Sequence, residues 1–124
     1  MEVIVNLPNG AIVSRATDGT LLIAGTQGAR QIEATNPVAL LPLLERRPED
    51  LSAEATAALP ISQMLSLALR WETTADHWPR LAVEWLSRTG VSAEVRASLD
   101  DFAHSDRGSQ QTRHLARRLL RELE

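Results

Sequence analysis

Asp18-Gly19, flanked by Thr17 and Thr20 and set between two short apolar runs, most narrows the folds open to this chain. Asp-Gly favours the type I′ turn of a tight hairpin, because both residues tolerate positive φ. The strands it would join cover residues 11–16 and 21–24. An earlier turn signal, Leu7-Pro8-Asn9-Gly10, follows the alternating run 2–7, in which Val3, Val5 and Leu7 share one face. A later one, Gly25-Thr26-Gln27-Gly28, precedes a weaker strand over 29–34. Short strands joined by tight turns predict an antiparallel meander of three or four strands.

The vocabulary changes at Thr35-Asn36-Pro37. Asn36 as N-cap and Pro37 at the first helical position predict a helix over the apolar run Val38 to Leu44, which Pro42 kinks or ends early. A charged connector surrounds Pro48; Ser52 then caps a short helix over 53–59, which Pro60 stops. Over 61–71, Ile61, Met64, Leu65, Leu67, Ala68, Leu69 and Trp71 cover roughly 200° of a helical projection, which predicts a central helix with Leu67 in the middle of a bundle. Thr74 or Asp76 caps the next helix, over 77–89, which Gly90 ends. Ser92 caps a helix bearing Val95, Leu99 and Phe102. Asp106-Arg107-Gly108 breaks it, and Ser109 caps the last helix. The expected fold class is α+β: a small N-terminal β-meander over 1–34, then a bundle of four or five helices over 37–124, in one domain over 1–124. The run from Leu51 to Leu59 is similar to that from Val91 to Leu99, about forty residues on, which raises HEAT-like helix pairing as a variant of the bundle.

Composition then removes chemistries. There is no cysteine, lysine or tyrosine, and all 13 basic residues are arginine. Disulfides, thiolate nucleophiles, Schiff-base lysines and a phosphate-loop lysine are excluded. His77, His104 and His114 show no metal-site spacing; they read as a cap, a helix-end charge and part of a basic face. No catalytic motif is present: G-x-S-x-G is missing, and neighbours such as Asp100 and Asp101 diverge by about 100° on a helix. A non-enzymatic protein with no cofactor and no metal is expected. Trp71, Trp78 and Trp85, spaced by seven, read as core residues of two adjacent helices rather than as a stacking platform. No apolar run approaches the 18 residues or so of a membrane span, and the N-terminus lacks a basic leader, so a bacterial cytoplasmic location is the expectation.

Charge is unevenly shared. The net charge is −3, yet residues 109–124 hold four arginines against two glutamates. Arg113, His114, Arg117, Arg118 and Arg121 fall within an arc of roughly 140° on the last helix, opposite its leucines. That face is either a solvated helix surface or an anion-binding stripe.

Leu69-Arg70-Trp71, Trp78-Pro79-Arg80-Leu81-Ala82-Val83-Glu84-Trp85-Leu86 and Gln111-Thr112-Arg113-His114-Leu115-Ala116-Arg117-Arg118-Leu119 together resemble the helical tail of small bacterial proteins, some of them similar to immunity proteins of contact-dependent or polymorphic toxin systems. The resemblance covers residues 61–124 and rests on packing residues. It implies an interaction protein and assigns no functional residue. The expected partner is therefore another protein, such as a basic toxin domain met by acidic groups: Glu45, Glu49, Asp50 and Glu54 in the connector, and Asp100, Asp101 and Asp106 near the last turn. Nucleic-acid binding through the arginine face is the alternative, disfavoured by the overall negative charge. No membrane partner is expected, and exposed edges of the front sheet would allow a homodimer.

Overall fold

The computed structural model describes residues 2–25, 28–33, 35–71 and 76–123. It opens with a four-stranded antiparallel sheet in sequence order, β1 (Glu2–Asn6), β2 (Ile12–Arg15), β3 (Leu21–Gly25) and β4 (Gly28–Gln31). Five α-helices follow among the described residues, so the α+β reading holds. The hairpin at Asp18-Gly19 forms, though not as a type I′ turn. No non-glycine residue among those described has positive φ; within this turn only Gly19 takes it, at 89°. Gly19 N–H donates to the Ala16 carbonyl at 3.0 Å and Ala16 N–H to the Thr20 carbonyl at 2.8 Å, which makes a three-residue loop. Asp18 instead uses its carboxylate locally, accepting the Thr20 N–H at 3.0 Å. The Pro8-Asn9-Gly10 loop closes in the same way, with Gly10 N–H on the Leu7 carbonyl. Thr26 and Gln27 of the third turn lie outside the described residues.

One face assignment in β1 is corrected. Val3 pairs with Ser14 but Val5 with Val13, so Ile4 is an extra residue in a bulge. The bulge puts Val3 and Val5 on opposite faces. Leu7 is buried, Val5 is half-buried, and Val3 is 61% exposed.

The run after Pro37 is helical but winds as a 3₁₀ helix, Val38–Glu45, and Asn36 does not cap it. Pro37 stands at the cap, and Asn36 instead bridges back to Glu33. In an α-helix the Pro42 ring would press on the Val38 carbonyl. The tighter winding sets Leu40 N–H on the Pro37 carbonyl and Arg46 N–H on that of Leu43. A second 3₁₀ turn, Pro48–Asp50, lies in the charged connector.

The α-helices are α1 (Ala53–Ala58), α2 (Ile61–Leu69), α3 (His77–Thr89), α4 (Ala93–Ala103) and α5 (Gln110–Arg121). Ser52 and Ser109 cap α1 and α5 as expected, their hydroxyls accepting from Ala55 N–H and Thr112 N–H. Gly90 ends α3 with its N–H on the Leu86 carbonyl. Helix α2 packs on α3, α4 and the 3₁₀ helix Val38–Glu45, and α5 closes over α3 and α4. One cluster of buried side chains runs from Val13 and Ile23 in the sheet through Leu40, Met64 and Phe102 to Ala116. Leu67 is not at its centre: Met64, Leu65, Ala68 and Leu69 are buried, while Leu67 is half-buried beside a shallow hollow lined by Ser62, Gln63 and Arg70. The two similar nine-residue segments also occupy unlike places. Helix α1 packs chiefly against β1, whereas α4 packs between α2 and α5. Among the described residues, no helix is long and apolar enough to cross a membrane.

Candidate functional site

A large concavity lies where the sheet meets the helices, and tryptophans line it. Trp71 follows the C-terminus of α2, its N–H reaching the Ala68 carbonyl. Trp78 sits in the first turn of α3, one residue after His77, whose ring meets the indole edge-on at 4.5 Å. Ile12 and Ala24 come from β2 and β3, Arg30 from β4, and Val38 and Pro42 from the 3₁₀ helix. The groove holds about 780 Å³. A second hollow of about 480 Å³ shares Ile23, Arg30, Val38 and Ala39 with it and continues along β4 to Glu33 and Asn36.

The tryptophan expectation is therefore met only at Trp85, which is 3% exposed in the core. Trp71 and Trp78 are half-buried and face the groove. Both stand at helix ends on either side of one connection, and helix ends reach the perimeter of a bundle. That position was the available signal; the heptad spacing concealed it. Thr74, the alternative cap for α3, lies outside the described residues.

Apolar surface is concentrated here. Among the described residues the large hydrophobics left exposed are Val3, Ile12, Val38 and Leu123, and two of these four line the groove. Arg30 is the only charged residue on its walls among those described. It pairs in register with Ile23, itself opposite Val13, so it shares the sheet's inner face with two buried residues yet is itself exposed.

The acidic residues do not form one surface. Glu49 bonds Arg88 at 3.0 Å, Asp50 lies 3.4 Å from Arg47, and Glu54 lies 3.5 Å from Arg15. Asp101 bonds Arg107 at 2.7 Å, and Asp100 lies 3.5 Å from the His104 ring. Glu45 and Asp106 are exposed and outside every ion pair formed among the described residues. The connector group packs toward β1 and α3, whereas Asp100 and Asp101 lie in the last turns of α4, which packs on α2 and α5. Most of this charge is already matched by arginine, which lowers its field on a partner. On β1, the Arg15 guanidinium beside Glu2 holds that carboxyl below the ordinary glutamate value.

The arginine face of α5 is divided as well. Arg113 donates to the carbonyls of Arg107 and Gly108 at 2.8 and 2.9 Å, and Arg117 donates to that of Ala103 at 3.1 Å. These two cations satisfy the orphan carbonyls at the end of α4 and in the following loop. Arg121 is exposed. His114 and Arg118 turn to a different hollow, of about 530 Å³, which they share with Asp76, Arg80 and Glu84. Arg80 and Glu84 pair there at 3.3 Å. Asp76 is not the side-chain cap of its own helix. Its Oδ1 accepts the Ser109 N–H at 2.8 Å and its Oδ2 the Thr112 hydroxyl at 3.0 Å, so it anchors the start of α5. No cluster of three or more His, Asp or Glu residues suited to a metal ion occurs among the described residues.

Fold and groove together describe a small α+β protein with an open, tryptophan-lined trough under one sheet edge. No family model matches the chain, and no curated protein or solved structure matches it significantly.

Proposed function

We propose that this protein is a non-enzymatic protein-binding module, in concrete form an immunity-type protein that docks on a toxin and neutralises it. The observation that carries the reading is the groove: Trp71 and Trp78 half-exposed beside exposed Ile12 and Val38, all in one concavity. Aromatic residues left at a surface with neighbouring aliphatic ones, rimmed by polar groups, are the composition of a docking site. The acidic residues supply long-range attraction at most, since arginines already pair with most of them. The alternative of nucleic-acid binding through α5 has less support, because Arg113 and Arg117 are engaged with backbone carbonyls.

The test places a photo-crosslinking residue at Val38 and, separately, at Ala57, an exposed position on α1. Each variant is produced in the native host, with and without Ile12→Arg. The expected result is one adduct from position 38, lost with Ile12→Arg, whose protein component is toxic when produced alone. Adducts that are the same from both positions, or that survive Ile12→Arg, would overturn the reading.

A further inference from the structure

The geometry points to the occupant of this trough: an extended segment of the partner that adds as a fifth strand to β4, sets a carboxylate against Arg30 and drops an apolar side chain between Trp71 and Trp78. The inference rests on the protein-binding reading and specifies its chemistry.

The two outer strands differ in cover. Helix α1 packs against β1, and Glu54 of α1 reaches Arg15 beside it. All four residues of β4 are exposed, and none is proline. The direction of its backbone groups follows from the ladder. Ile32 N–H donates to the Leu21 carbonyl, so Arg30 and Gly28, two and four residues earlier, also bond inward to β3. Ala29 and Gln31 consequently present N–H and C=O groups to the open edge. Beyond Gln31 the chain turns back on itself through the Glu33–Asn36 bridge, which ends the free edge. An incoming strand has a short edge available, with outward backbone groups at Ala29 and Gln31.

The pairing that uses both of these residues disfavours a second copy of this chain as the occupant. Antiparallel pairing of β4 with its own copy would set Ala29 opposite Gln31 and Gln31 opposite Ala29. Arg30 would then face Arg30 across the closely spaced pair, and like charges there are destabilising. An inward-facing charge on an edge strand is one device by which sheets avoid pairing with themselves. The same guanidinium favours a strand with Asp or Glu at the opposed position, through a charge-assisted hydrogen bond. Arg30 lines both hollows, so a residue held against it is continuous with the tryptophan groove on one side and with Gln31 and Ile32 on the other. Strand addition thus supplies backbone affinity, while Arg30 and the indoles supply selectivity.

The experiment selects a library of nine-residue peptides displayed on phage against the full chain, and repeats the selection against Arg30→Glu. The expected winners from the wild type carry Asp or Glu at a fixed spacing from one aromatic or branched apolar residue, with no proline between them. Arg30→Glu is expected to exchange that acid for Arg or Lys, and Arg30→Ala to weaken a winning synthetic peptide by about tenfold. Amide exchange at Ala29 and Gln31 slows when that peptide binds. Failure to enrich any peptide, enrichment indifferent to Arg30→Glu, or unchanged exchange at Ala29 and Gln31 would overturn the inference. The host crosslink at Val38 reports separately on the wider reading: if it is lost with Ile12→Arg but unaffected by Arg30→Glu, docking at the groove stands and strand addition fails.

Discussion

Replacing Asp76 with alanine tests the account of how the last helix is held. The Asp76 carboxylate takes two hydrogen bonds from the start of α5, at 2.8 Å from Ser109 N–H and 3.0 Å from the Thr112 hydroxyl. Ser109 in turn donates to Thr112 Oγ1 at 2.8 Å and accepts its N–H at 3.1 Å, so the three residues form a closed network. Thr112 is only 5% exposed, which limits how well water replaces the lost acceptor at its hydroxyl. Leaving a buried donor unpaired costs about 1–3 kcal/mol, and removing an anion from a helix N-terminus about 0.3–1 kcal/mol more. Asp76→Ala is therefore expected to destabilise by about 1–4 kcal/mol, read as a lower urea midpoint at unchanged slope. Asp76→Asn keeps one acceptor oxygen but not the charge, and falls between alanine and wild type. Thr112→Val in both backgrounds completes a double-mutant cycle, with an expected coupling of about 1 kcal/mol or more. A loss below about 0.5 kcal/mol for Asp76→Ala, the ordinary surface value, or strict additivity in the cycle would refute the network.

Gly108→Ala is expected to cost more than Gly19→Ala. Both have positive φ, a penalty of about 1–2 kcal/mol for alanine, but a Cβ at 108 would also lie 2.9 Å from Asp76 Oδ1 and 3.0 Å from the Phe102 ring, while one at 19 meets nothing within 4 Å. Equal costs in denaturation would show that the close approach at 108 is not felt. Arg113→Gln and Arg117→Gln should each lose about 1 kcal/mol, through the carbonyls they leave, and Arg121→Gln less than about 0.5 kcal/mol; three equal small values would restore a purely solvated face. In single-tryptophan variants, Trp85 should emit at short wavelength and resist iodide, and Trp71 and Trp78 should be quenched; Trp85→Ala alone should reach a loss of about 3–5 kcal/mol. The Thr20 N–H and hydroxyl hold the Asp18 carboxyl below the ordinary aspartate value. A folded-state pKa below the unfolded one stabilises above the unfolded value, and the gain is lost as pH falls through the folded value, so Asp18→Asn should remove that part of the acid slope while stability at neutral pH falls. An NMR titration placing Asp18 at or above the unfolded value would contradict the bond.

Residues that act on their own turn of chain were legible before any tertiary contact was known. The loop at Asp18-Gly19, the caps at Ser52 and Ser109 and the stop at Gly90 are set by groups within about four positions, whose geometry recurs in any fold. The meander followed by helices is built from these local decisions, which is why the fold class could be read. Even so, the turn at Gly19 closed over three residues rather than two, and Pro42 tightened its helix into a 3₁₀ form. The rest required knowing what stands opposite. Asp76 occupies a cap position but its carboxylate bonds the start of α5, 33 residues away at Ser109. Arg113 and Arg117 share a helix face with Arg121 and differ from it only because the end of α4 lies within their reach. Trp71 and Trp85 are both apolar positions on helical stripes, and only packing leaves one at a groove and buries the other. Helical and strand periodicity specifies which side of an element turns inward; which inward side chains find a filled neighbour, and which border a gap, depends on how separate elements dock, and those distances exist only in the folded chain.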